Sequence, residues 1–148
     1  MSEIPQPDLI SKAYKEAQAE GKGILYICDE EGRSGAYADW AVARGETNSS
    51  VLEGGIKALG NKEQQMTIFP HLAQKYKLRI FVGNRSSQLT SMLYALSQMN
   101  LIDSGSYELV SIDKVHGETQ GKIEKGRAER INPQQLFDDL KSGKAEDN

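Results

Sequence analysis

The apolar residues of this chain fall into short continuous runs that alternate with longer stretches of helical spacing. The runs "ILYIC", "LRIFV" and "YELVSID" occupy 24–28, 78–82 and 107–113. Runs of this length predict strands, and the almost wholly apolar run 24–28, rich in β-formers, predicts a strand that is covered on both faces of a sheet. A further short strand is predicted at 50–52, just before a pair of glycines.

Apolar residues that recur every three or four positions predict the helices. The predicted segments are 9–20, 34–44, 70–76, 88–99 and 132–143. The last segment has the clearest bounds, because it opens with an asparagine cap and a proline and ends at a glycine.

Strands that alternate with helices predict an α/β fold with a central, mostly parallel sheet and helices on both faces. Polar stretches at 60–66 and 114–130 are predicted to be a connector and a long loop. We expect one domain. Its cysteine-bearing half covers 1–60, its second half covers 67–143, and a frayed tail covers 144–148.

The composition argues against several classes of protein. The 148 residues carry a net charge of −3, whereas a dedicated nucleic-acid binder usually has a basic excess. No apolar stretch reaches the roughly 18 residues that a membrane span needs. The first residues lack the apolar core of a signal peptide, so a cytoplasmic location is predicted. One cysteine and two histidines do not make a thiolate zinc site, and neither a metal nor an organic cofactor is expected.

The cysteine, Cys28, ends the first predicted strand and precedes a turn and a helix. Turn amides and the positive end of a helix favour the thiolate, which is the nucleophilic form of the side chain. Arg33 would clamp an oxyanion, Gly32 would let the turn bend, and Ser34 would cap the helix or donate to a substrate oxygen. The residues alone leave an alternative open, since a free cysteine is often a small buried apolar residue.

The stretch 23–60 resembles the active-site segment of the rhodanese, or sulfurtransferase, superfamily. In that family a cysteine opens a C-x-x-x-x-R loop, a serine and an alanine-rich helix follow, and an "LEGGI" segment comes about 20 residues later. Here the loop runs from Cys28 to Arg33, and "VLEGGIKAL" lies at 51–59. The resemblance implies that Cys28 takes sulfur from a small donor as a persulfide and passes it to a thiol acceptor.

The order of the segments departs from that family. An aspartate-bearing strand normally precedes the cysteine half, but nothing like it lies in 1–22, and a counterpart comes afterwards at 108–140. The segments 24–45 and 78–100 also share a strand, a turn with Arg-Ser, and a helix. A rhodanese-like fold that is permuted or partly duplicated is therefore the expectation.

Three carboxylates in the cysteine loop, those of Asp29, Glu30 and Glu31, oppose thiolate formation and repel anionic donors. We count Glu30 among the residues that line the predicted pocket, with Gly32 and Ser34. The acidic loop keeps a second hypothesis open: a catalytically inactive rhodanese-like module that binds a protein partner.

The loop "GNRSS" at 83–87 also joins a predicted strand to a predicted helix. Its amides, with Arg85 and Ser86, would cradle a phosphate or a sulfate. A third hypothesis is therefore a small α/β protein that binds phosphate or a nucleotide. A helix cap with a solvent-facing arginine is the simpler interpretation of this loop.

Other side chains with potential chemistry are predicted to be structural. Four residues at helical spacing are expected in the core rather than on a ligand: Tyr37, Trp40, Met92 and Tyr94. Solvated positions are predicted for His71, His116 and Glu118. The mixed-charge run 122–130 is expected to be a solvated loop rather than a contact for RNA or an acidic partner.

Overall fold

The structure is a computed structural model, and it describes residues 11–59, 61–82, 87–111 and 126–143. Within these ranges the chain forms five strands: β1 Gly23–Ile27, β2 Ser49–Leu52, β3 Tyr76–Val82, β4 Tyr107–Ser111 and β5 Glu129–Ile131. It also forms five α-helices: α1 Lys12–Ala19, α2 Gly32–Ala43, α3 Lys62–Lys75, α4 Ser87–Gln98 and α5 Pro133–Ser142. None of the helices in these ranges has the length and apolar character needed to cross a membrane.

The strands form one sheet in the order β4-β3-β1-β2-β5. All four strand pairings are parallel, so the sheet is wholly parallel in the described part of the chain. β1 lies at the centre, and every one of its residues is buried. The prediction of an α/β fold with a central parallel sheet is therefore confirmed.

Helices cover both faces of the sheet. On one face, buried residues of α3 and α4 pack on the sheet, and partly buried residues of α5 pack against the same cluster. On the other face, α1 and α2 pack against a cluster rich in aromatic residues, whose largest members are Tyr26, Tyr37 and Phe81. Neither face of the central strand meets water, which explains why its sequence is apolar at every position and does not alternate.

The connections after β1 and β3 leave the sheet on opposite faces. β1 leads to α2 on the aromatic face, and β3 leads to α4 on the other face. The two strands are neighbours, with Ile27 opposite Ile80 at their carboxyl ends. In parallel sheets, a crevice opens at the carboxyl ends of two neighbouring strands whose connections leave on opposite faces. Cys28 follows β1 at this position.

The prediction of a connector at 60–66 and of a helix beginning near Pro70 is wrong. α3 starts at Lys62, because the side chain of Asn61 caps it by accepting the amide of Gln64 at 2.9 Å. Pro70 lies inside the helix, where a proline removes one backbone hydrogen bond. Burial of the neighbouring Phe69 against the sheet offsets that cost.

The prediction of a loop over the whole of 114–130 is also wrong, since β5 begins at Glu129 and pairs with β2. The part of that segment up to 125 lies outside the described residues, as do His116 and Glu118. A three-residue strand at a sheet edge leaves too short an apolar signal to be distinguished from a loop.

The four residues predicted in the core have different environments. Tyr37 is buried, and Trp40 and Met92 are half-buried. The prediction is wrong for Tyr94, which is 66% exposed. Leu93 and Leu96 of the same helix face the sheet, so Tyr94 lies on the side of α4 that faces solvent. His71 is half-buried, and burial together with the Lys75 charge lowers its pKa.

Two leucines on neighbouring strands give a matched test of this packing. Leu78 on β3 is fully buried, whereas Leu109 on β4 is 45% exposed. We expect Leu78→Ala to lower the free energy of unfolding by about 2–5 kcal/mol, because it leaves a cavity, and Leu109→Ala to lower it by less than about 1 kcal/mol. Urea denaturation measures both values. Equal losses would contradict the placement of Leu78 in the core and of Leu109 at the surface.

Candidate functional site

The sulfur of Cys28 lies where the central strand ends and the turn to α2 begins. The residue is only 4% exposed and belongs to the aromatic cluster. Its Sγ accepts the backbone N–H of Ser34 at 3.3 Å, and the thiol donates to the Ser34 hydroxyl at 3.2 Å. Cys28 thus belongs to the apolar core, and its sulfur contacts two polar groups of Ser34.

Ser34 is buried in the first turn of α2 and contacts the sulfur through two groups. Its hydroxyl also donates to the carbonyl oxygen of Glu31 at 3.2 Å. If the thiol lost its proton, rotation of this hydroxyl would turn it into a second donor to the sulfur. The Glu31 carbonyl would keep the N–H of Gly35, which it accepts at 2.6 Å.

The prediction that Ser34 caps the helix is not met, because α2 begins two residues earlier and Glu31 occupies the N-cap position. Glu31 has a left-handed backbone with φ of +86°. This conformation costs a residue other than glycine about 1–3 kcal/mol. The Glu31 carboxylate has contacts that offset the cost: it accepts the Gly54 amide at 2.8 Å and lies 3.3 Å from Arg130 Nε.

The glycine pair of the "LEGGI" segment brings a second backbone against the cysteine loop. The amide of Ile56 donates to the Cys28 carbonyl at 2.9 Å, and the amide of Lys57 donates to the Asp29 carbonyl at 3.0 Å. Gly55 has a φ of +69°, and a Cβ at this position would overlap both carbonyl oxygens. The spacing between the cysteine loop and the glycine pair therefore has a structural cause.

Arg130 of β5 joins the cysteine loop to α2. Its guanidinium contacts both carboxylate oxygens of Asp39, at 2.7 and 3.2 Å, as well as the carboxylate of Glu31. These hydrogen bonds, of which that to Asp39 has the largest effect, raise the pKa of Arg130. Sequence reasoning missed this residue, because Asp39 is 91 positions away and no local pattern marks the pair.

Two of the three loop carboxylates have a cationic partner. Glu31 pairs with Arg130, and Glu30 pairs with Lys57 at the surface. The Lys57 ammonium, through its hydrogen bond and its charge, lowers the pKa of Glu30. Two of the three negative charges of the loop are therefore compensated by cations that the sequence of the loop does not show.

The other predicted pocket residues lie at the rim of the loop or outside the described ranges. Gly32 and Arg33 are the first two residues of α2, and both are exposed. Among the described residues, no hydrogen bond or ion pair holds the Arg33 guanidinium. Arg85 and Ser86 lie outside the described residues.

In the described ranges no group of three or more histidine, cysteine or acidic side chains is arranged to hold a metal ion. No protein-family model, curated protein or solved structure matches the chain. Membership of the rhodanese superfamily therefore stays a prediction, which depends on the residues of the cysteine loop and the glycine pair.

Gly55 gives a test of the contact between the two backbones. We expect Gly55→Ala to lower the free energy of unfolding by about 2 kcal/mol or more, because the left-handed φ and the overlap with two carbonyls both disfavour a side chain. Gly32→Ala is the control, since a Cβ there meets no atom within 4 Å. Urea denaturation that gave equal values for the two variants would contradict this packing.

The Asp39–Arg130 pair predicts a pH dependence of stability. Desolvation opposes ionisation of Asp39, but the hydrogen bonds from Arg130 and the Ala128 amide outweigh it and lower the pKa of the carboxyl. The stabilisation is therefore complete above the unfolded pKa, about 3.9, and is lost as the pH falls through the folded pKa. We expect the unfolding free energy of Asp39→Asn to fall less than that of the wild type between pH of about 7 and about 2.5; parallel curves would contradict this.

Proposed function

We propose that this protein is a rhodanese-like sulfurtransferase that carries sulfur as a persulfide on Cys28. One observation carries the proposal: the Cys28 sulfur lies at the carboxyl end of the central strand and contacts both the amide and the hydroxyl of Ser34, at the amino end of α2. Donors at a helix amino end stabilise a thiolate, and the thiolate is the nucleophile.

The transfer consists of two displacements at sulfur. The Cys28 thiolate attacks the outer sulfur of a donor such as thiosulfate, the S–S bond of the donor breaks, and sulfite leaves with the bonding electron pair. A thiolate acceptor then attacks the outer sulfur of the persulfide, and the Cys28 thiolate leaves. Charge and electrons balance in each step, so no oxidant or reductant is needed.

Cations near the loop reduce the obstacle that its carboxylates present to an anionic donor. Arg130 and Lys57 each pair with a loop carboxylate, which reduces the repulsion that the sequence predicts. The exposed guanidinium of Arg33 follows the loop and offers a cation to an approaching anionic donor.

Burial of the sulfur favours a second candidate function. Because Cys28 is only 4% exposed, a donor reaches it only if the loop or the neighbouring side chains move. Without such movement the protein is a catalytically inactive rhodanese-like module that binds a protein partner. The third hypothesis, a phosphate or nucleotide binder, depends on Arg85 and Ser86 and gains no support from the described residues.

Incubation with thiosulfate tests the proposed function directly. We expect intact-protein mass spectrometry to show the gain of one sulfur atom, and a small thiol to remove it. Cys28→Ser is expected to gain none. Ser34→Ala is expected to react about tenfold more slowly, since it loses the hydroxyl donor to the thiolate and keeps the amide.

A folded wild-type protein that gains no sulfur from thiosulfate, or from a persulfide of a small thiol, would contradict the proposal. That result would favour the inactive binding module. Sulfur gained equally by wild type and Cys28→Ser would show labelling at another site and would also contradict it.

A further inference from the structure

We propose that Arg130 is a positioning residue for the Cys28 thiolate, which it supports by neutralising and holding Glu31. This inference rests on the proposed function, since it concerns the same sulfur. Arg130 does not touch the sulfur; it acts through the residue that shapes the loop.

A continuous series of contacts joins the guanidinium to the sulfur. Arg130 Nε lies 3.3 Å from the Glu31 carboxylate, and the Glu31 carbonyl accepts the Ser34 hydroxyl at 3.2 Å. That hydroxyl lies 3.2 Å from the Cys28 sulfur. Glu31 is also the loop residue with the left-handed backbone, so its orientation decides where the turn delivers Ser34.

The shape of the arginine side chain suits this role. Its Nε contacts Glu31, while its two terminal nitrogens contact Asp39, and one of them also donates to the Ala128 carbonyl at 2.9 Å. A planar group with five donors can bind two carboxylates at once, which a lysine ammonium cannot do in the same geometry. The loop and α2 are thus held at a fixed distance by one side chain.

Arg130 compensates the negative charge of the Glu31 carboxylate. Without the guanidinium, an uncompensated carboxylate would remain in the loop and would disfavour the thiolate. Asp39, which also pairs with Arg130, loses this partner in Arg130→Gln and adds to the same effect. The substitutions leave unchanged the other charged or titratable groups on the loop, on the elements packed against it and around the aromatic cluster: Asp29, Glu30, Arg33, Lys57, Glu46, Arg79, Tyr14, Tyr26 and Tyr37.

The test is a pH titration of the thiolate by its ultraviolet absorbance, taken as the difference from Cys28→Ser in the same background. The chain has a single cysteine, so the signal reports one group. We expect Arg130→Gln to move the midpoint upward by about half to one pH unit and Glu31→Gln to move it downward. The double variant is expected to lie between the two single variants.

The opposite signs separate positioning from a merely structural role. Loosening of the loop alone would move both single variants upward, because both would weaken the contact with Ser34. Lys141→Gln is the matched control: it removes an exposed cation that pairs with Glu63 on α3, and we expect the wild-type midpoint. Arg130→Lys keeps the charge and loses the planar fork, so its midpoint should lie between those of the wild type and Arg130→Gln.

A folded Arg130→Gln protein with the wild-type midpoint would overturn the inference, as would upward shifts in both single variants. If Arg130→Gln does not fold, Glu31→Gln decides alone: a downward shift supports the inference, and an unchanged or raised midpoint overturns it. Failure of the wild type to take up sulfur would refute the proposed function without affecting these titrations, so the two failures are distinguishable.

Discussion

The hydrogen bonds between the cysteine loop and the glycine pair are the constraint on which the candidate site depends. The amides of Ile56 and Lys57 reach the carbonyls of Cys28 and Asp29 only because Gly55 has no side chain. These bonds hold the start of the loop against the segment that follows β2. The sulfur therefore has a fixed position relative to two strands, whereas a free turn would let it vary.

The environment of Cys28 combines two requirements that usually conflict. Burial in an aromatic cluster disfavours a charged sulfur, since low polarity penalises ions. The Ser34 amide, which donates to the sulfur at the amino end of α2, favours the same charge. Because Cys28 is only 4% exposed, a reagent reaches the sulfur only through a local movement of the loop or of the neighbouring side chains.

The sequence allowed the fold class and the location of the cysteine loop to be predicted, but not all of the partners of the loop. β1 and β3 were found because their apolar runs are long and continuous, and α5 because its cap and stop signals are local. α3 was partly missed, since its first turn is polar and a proline lies within it. β5 was missed because three residues carry almost no periodic signal.

The acidity of the cysteine loop shows why local sequence misjudges a site of this kind. Asp29, Glu30 and Glu31 form a run of three negative charges, and on the sequence alone each of them opposes a thiolate. The fold brings Arg130 to this run from a strand near the other end of the chain, and Lys57 from the segment after β2. The effective charge of the loop is therefore a property of the strand order. Any change that detaches β5 from β2 would leave Glu31 without its cation, even though no residue of the loop had changed.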